Sequence, residues 1–236
     1  MFSRCEAVEI KLQEGIRRLD ANSILLWARD SLDDELIIPS TLQVIESYAI
    51  RQGQYKIRVK NRTPVGLINA VVITSSYTNN DGVAGPFVIT LTIEEDGKEY
   101  VFYIPRFLSS ETSRNLDSFF NMYSPSAMSE EYMDSLYEDT PCLYVKQDTA
   151  LELYHLTGKQ FYKDFLKKSK NSIIKRYFDR CQEKEIIDFL QFGFFASSSL
   201  DKFRKIADER EMSVLSAYIL EELKKKAPKT TTKFTI

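Results

Sequence analysis

One spacing recurs near the start of this chain and limits what it can fold into. Leu12 and Ile38, Ile16 and Leu42, Leu19 and Ile45, and Ile24 and Ile50 form four apolar pairs with one common separation. Apolar positions that return at a fixed period of this kind mark coils stacked on one another, each burying its apolar edge on the next. The six side chains Leu12, Ile16, Leu19, Ile38, Leu42 and Ile45 are therefore expected in one cluster. Stacked coils mostly present surface rather than chemistry, so the spacing directs attention to binding before catalysis.

The residues of the two copies carry a resemblance. The first has Phe2 and Cys5; the second has Leu36-Ile37-Ile38-Pro39, Leu42, Ile45 and Ala49-Ile50. Together they resemble BspA-type, or Treponema-type, leucine-rich repeats, in which a Phe and Cys precede an Ile-Pro stretch and a final Ala-Phe. Gln13 stands where the first copy would have Pro, and Trp27-Ala28-Arg29-Asp30 replaces the Cys-containing start of the second. A third copy is not legible, although Pro64 and a strand over Val71-Val72-Ile73 read as its remnant. The resemblance covers roughly the first 75 residues. Two unrelated strand-turn units are the alternative.

Beyond the coils, Tyr55, Ile57 and Val59 alternate with Lys56, Arg58, Lys60 and Arg62, the period of a half-buried strand. Its basic face reads either as a solvated edge that resists aggregation or as a surface for phosphate or an acidic partner. Residues 75–86 form a loop ending at Gly85-Pro86. A hairpin follows, Phe87 to Ile93 and Glu99 to Ile104, with Asp96-Gly97 in the turn.

From Pro105 the pattern is helical: Ser110 to Tyr123, Ser129 to Leu136, then about 147–156, 159–168, 170–180, 183–192, 199–210 and 212–226. Gly158 and Gly193 mark C-caps and Ser199-Leu200-Asp201 an N-cap. The stretch from Pro228 to Ile236 is basic and Thr-rich and is expected to fray. Glu185 to Gly193, Leu200 to Ala207 and Leu215 to Glu221 resemble ankyrin-type helical hairpins, without the Thr-Pro-Leu-His signature. The expected fold class is thus α+β: a short N-terminal leucine-rich-repeat β-coil with a β-hairpin, then an all-helical, ankyrin-like C-terminal half. The expected domains are residues 1–124 and 145–226, with a soft boundary between about 124 and 145. Both resemblances imply an interaction role, in a bacterial cell or its mobile elements, and name no ligand.

Catalytic signals are sparse. His155 is the single histidine, and no Gly-x-Ser-x-Gly elbow accompanies it. Three scattered cysteines, Cys5, Cys142 and Cys181, lack the close spacing of a zinc site and fit free thiols in a reducing compartment. No Gly-x-Gly-x-x-Gly or Walker-type loop is present. The expectation is no enzyme, no metal and no cofactor. Glu6, Glu9 and Glu14 interrupt any secretory pattern, no run of about 18 apolar residues exists, and the expected location is the cytoplasm without membrane contact.

The formal net charge of -2 does not recommend the whole chain for nucleic acid. Local basic stretches remain. Lys159, Lys163 and Lys167 recur at near-helical spacing and join Lys56, Arg58 and Lys60 as candidate partner-binding residues. They read as part of a surface that grips another protein, as an adaptor or inhibitor does, or as a phosphate-binding face for nucleic acid. A solvated face paired with the acidic stretch at 130–139 is the plain alternative.

Overall fold

The structure is a computed structural model that describes residues 13–19, 35–46, 56–74, 86–140 and 142–226. Leu12, Ile24, Ile50, Cys5, the loop at 75–85 and the stretch from Pro228 to Ile236 lie outside the described residues. The chain is α+β, with strands mainly N-terminal and helices C-terminal. By contact it groups into two units, residues 1–163 and 164–236.

In the first unit, short segments pair in parallel, tier on tier. β1 (Arg18–Leu19) pairs with β3 (Val44–Ile45), Leu19 opposite Ile45. Of the four apolar pairs, Leu19 and Ile45 are thus partners in a ladder. Val44 then bridges to Val65, a shorter step along the chain than the one from Arg18 to Val44. Backbone bonds run through the three tiers: Gln43 N–H donates to the Arg17 carbonyl at 2.9 Å, and Glu46 N–H to that of Leu19 at 3.0 Å. Ile45 N–H donates to Val65 at 2.8 Å, and Val65 N–H to Gln43 at 2.9 Å. Side chains repeat the tie, since the Glu14 carboxylate accepts from Ser40 N–H and hydroxyl, and Gly15 N–H donates to Thr41 Oγ1.

A second ladder holds β2 (Glu35–Ile38), β4 (Lys56–Lys60), β5 (Val88–Glu95) and β6 (Lys98–Pro105) in that order. Its first two pairings are parallel, and β5–β6 is the antiparallel hairpin. Asp96 and Gly97 both take positive φ, 51° and 74°, as a two-residue turn with right-twisted strands requires. Alternation puts Leu36, Ile38, Ile57, Val59, Leu91, Ile93, Phe102 and Ile104 inside, in one cluster with Leu19, Leu42 and Ile45. Ile16 packs against that cluster half-buried.

The expected strand remnant at Val71-Val72-Ile73 is not a strand: its first residue ends a helix that spans residues 67–71. That helix is α1 (Leu67–Val71), and Ile73 makes a bridge to Phe107. Gly66 starts α1 with φ 88°, and a methyl group there would overlap the Ile45 carbonyl oxygen. Only glycine fits so close a backbone approach in that conformation. α2 (Ser110–Met122) covers the sheet's inner face with Leu116 and Phe120, the latter edge-on to Phe102 at 5.0 Å. Ser109 caps α2 by accepting from Thr112 N–H. From α2, Asp117 reaches α1 and accepts from Gly66 N–H at 3.0 Å and Ile68 N–H at 2.9 Å. It is 5% exposed, and burial raises its carboxyl above the usual range against the pull of those donors.

A 3-10 turn at Pro125–Ala127 leads to α3 (Glu130–Leu136), a second at Tyr137–Asp139 follows, and α4 (Leu143–Thr157) ends at Gly158 with φ 67°. Glu152 of α4 accepts from Phe87 N–H at 2.6 Å, which fastens α4 to the entrance of β5. The stretch from 159 to 180 is one helix, α5 (Gln160–Asp179), not two, because Lys168-Ser169-Lys170 contains no residue that stops a helix.

In the second unit α5 continues into α6 (Glu183–Leu190), then α7 (Ser197–Glu209) and α8 (Ser213–Lys226). α7 starts before the expected Ser199 cap, with no side-chain cap at Ala196. The α5–α6 and α7–α8 turns match bond for bond at one constant offset. Cys181 and Glu211 take φ 52° and 58°. Gln182 N–H donates to Tyr177 as Met212 N–H does to Ala207, and Glu183 to Cys181 as Ser213 to Glu211. The first hairpin holds the second: Glu183 accepts from Leu215 N–H at 2.6 Å, and Phe178 meets Phe203 at 5.6 Å. The counterparts of Ile174, Phe178 and Ile186 are Arg204, Asp208 and Ser216, so the second hairpin turns a polar side where the first is apolar.

Leu42→Ala is expected to cost about 2–5 kcal/mol as a core truncation. Gly15 and Gly66 both have positive φ, but only Gly66 lacks space for a methyl group. Alanine in left-handed backbone costs about 1–2 kcal/mol, which is the expectation for Gly15→Ala. Gly66→Ala should cost clearly more in urea unfolding; equal effects would contradict the close approach.

Candidate interaction surfaces

The outer face of the four-stranded sheet gathers one half of the sequence-predicted residues. Lys56, Arg58 and Lys60 point there, opposite to Ile57 and Val59. Register sets Ile37, Arg58, Thr92 and Val101 side by side across the four strands. One row on, Lys60 stands by Glu94, and Glu94 by Glu99. Ile37 and Val101 are exposed.

Arg58 is the hub of this face. Its Nε donates to Glu35 at 2.8 Å, and one terminal nitrogen donates to Glu94 at 2.8 Å and Glu99 at 2.6 Å. Three strands thus send carboxylates to one guanidinium, and those hydrogen bonds raise its pKa further. Lys56 is half-buried. Lys60 is exposed and has no ion-pair partner among the described residues.

The helical candidates are also engaged in part. Lys159 meets Asp134 at 2.9 Å and Glu130 at 3.3 Å. Burial works against its charge, but these two carboxylates hold its pKa above the usual value. Tyr162 also donates to Asp134, at 3.1 Å. Lys163 lies over the Tyr154 ring at 5.8 Å, within cation–π range. Lys167 is exposed on the part of α5 that belongs to the second unit. The acidic stretch at 130–139 is therefore a partner of the first turn of this stripe, and Lys146 joins it through Glu138 at 2.7 Å.

A cleft of about 460 Å³ opens at the end of the sheet where β4 leaves and the hairpin turns. Arg62, Asp96, Met122 and Tyr123 line it, with Glu95 and Ser124. Sequence reasoning passed over Met122 and Tyr123, which close an amphipathic helix; their position beyond its last buried residue, Phe120, was the available signal.

Among the described residues, no group of three or more His, Cys, Asp or Glu side chains could hold a metal ion, and no helix is long and apolar enough to cross a membrane. Cys142 and Cys181 are free thiols, and His155 is exposed beside Tyr154. No family model matches this chain, and neither a curated protein nor a solved structure does.

Arg58→Ala leaves three glutamates converging on an empty position, and an expected loss of about 1–2 kcal/mol follows, since this is a network rather than an isolated surface pair. Lys60→Ala should stay within about 0.5 kcal/mol, as exposed changes do. Chemical denaturation of both variants checks the contrast.

Proposed function

We propose that this chain is a non-enzymatic protein-interaction module, an adaptor or inhibitor, working in the cytoplasm. The observation that carries the reading is the internal use of its basic side chains. Arg58 is spent on Glu35, Glu94 and Glu99, and Lys159 on Asp134 and Glu130. A phosphate-binding stripe needs cations that face solvent unopposed, because affinity comes from counterion release. Carboxylates interrupt both basic elements here, which favours a protein partner over nucleic acid. Exposed Ile37, Val101, Met122 and Tyr123 supply the large side chains from which interfaces draw their energy.

The leucine-rich-repeat reading gains support from parallel tiers that join Val44 to Arg18 on one side and to Val65 on the other. The ankyrin-like reading gains support from two hairpins with one turn geometry. Both are scaffolds for presenting surface. The nucleic-acid reading rests on exposed Lys60 and Lys167, which lie in different units.

Fluorescence polarisation with random single- and double-stranded oligonucleotides is expected to show no measurable binding at about 150 mM salt. Micromolar binding that disappears on replacing Lys159, Lys163 and Lys167 with alanine would favour nucleic acid instead.

A further inference from the structure

We infer that α7–α8 is a closing hairpin: its outer side keeps any further hairpin, of this chain or of a second copy, from stacking there. Nothing in this depends on the protein-binding reading above. It determines where the helical unit does not associate.

The constant offset between the two hairpins allows them to be compared position by position. The stacking side differs first in its chemistry. Ile174, Phe178 and Ile186 are buried, and Phe178 meets Phe203 of the next hairpin. Their counterparts Arg204, Asp208 and Ser216 satisfy one another instead. Ser216 Oγ donates to Asp208 Oδ1 at 2.5 Å, and Arg204 Nε lies 3.9 Å from the same carboxylate. Leu190 and its counterpart Leu220 keep the residue type but not the cover, 7% exposed against 38%. A hairpin seated here would strip water from Arg204 and Asp208, a cost that contact with the single Leu220 does not offset. Terminal units of stacked arrays carry such a polar outer side, since an apolar one would draw in a neighbour.

The path of the backbone differs too. α6 stops at Leu190, and Gly193 takes φ 70° as the chain turns toward α7. The counterpart of Gly193 is Leu223, which lies inside α8. α8 therefore runs straight on where α6 gives way to another hairpin. At its last residue, Lys226 donates to the Phe195 carbonyl at 3.2 Å. The added length of α8 is thereby tied back to the α6–α7 connection.

The test moves the first hairpin's side onto the second, with Arg204→Ile/Asp208→Phe/Ser216→Ile in the full chain, and reads self-association by sedimentation velocity. Unchanged helical circular dichroism shows the variant folded. It should self-associate about tenfold or more tightly than the parent, as a newly exposed apolar side does. Lys202→Ile/Lys205→Phe/Glu209→Ile puts the same side chains on another exposed face of α7 and should associate less. The proposal is overturned if the first variant is folded yet sediments as the parent does. It is overturned equally if the two variants associate alike, or if the parent forms an oligomer that the first variant loses. If the first variant loses helicity, Asp208→Leu is read in its place, with association expected and parent-like sedimentation overturning the proposal. Lost helicity in Asp208→Leu overturns it as well, because the polar side would then hold the hairpin together rather than close the array.

Discussion

The first unit depends on backbone ladders between segments too short to be strands by themselves. β1 and β3 have two residues each, and Val65 contributes a single bridge. Such pieces persist because Leu19, Leu42 and Ile45 are buried beneath them and the carbonyls of Arg17, Leu19, Gln43 and Val65 find donors one tier away. The tiers must be close, and Gly66 against the Ile45 carbonyl is where they are closest. α1 begins at that glycine, Asp117 secures its first N–H groups, and α2 is thereby laid across the sheet. The position of the outer face and of the cleft follows from this sequence of contacts.

Much of this was legible. Apolar spacing gave the register of Leu19 against Ile45, alternation gave the two faces of β4, and Asp96-Gly97 gave the hairpin turn. The third tier was not legible, since the step from Val44 to Val65 is shorter than the period before it, and Val65 keeps the ladder without keeping the motif. A helix as short as Leu67–Val71 shows too little periodicity to separate from a strand, and a carboxylate far along the chain helps define it. In the helical part, the shared turns were hidden because identical backbone bonds are made by residues whose side chains differ: Gln182 corresponds to Met212 and Phe178 to Asp208.

The candidate site shows the same division. Alternation says that Arg58 leaves the core but not what opposes it, and its three glutamates come from strands paired only in the folded sheet. Lys159 likewise meets Asp134 from the far end of α4. Charge patterns in a sequence count ions; the fold decides which of them remain to face a partner. Here it consumes the centre of the basic strand and the first turn of the basic helix, and leaves Lys60 exposed at the end of that strand.

Native-state hydrogen exchange followed by NMR tests the founding constraint most directly. If the ladders are one cooperative structure, the amides of Gln43, Ile45, Glu46 and Val65 exchange through the same opening as those of Ile57, Val59 and Leu91, and share their free energy and denaturant dependence. If the amides of Gln43, Ile45, Glu46 and Val65 instead exchange rapidly and independently while β4 to β6 stay protected, the tiers do not hold the sheet, and the account of how its surface is built is wrong.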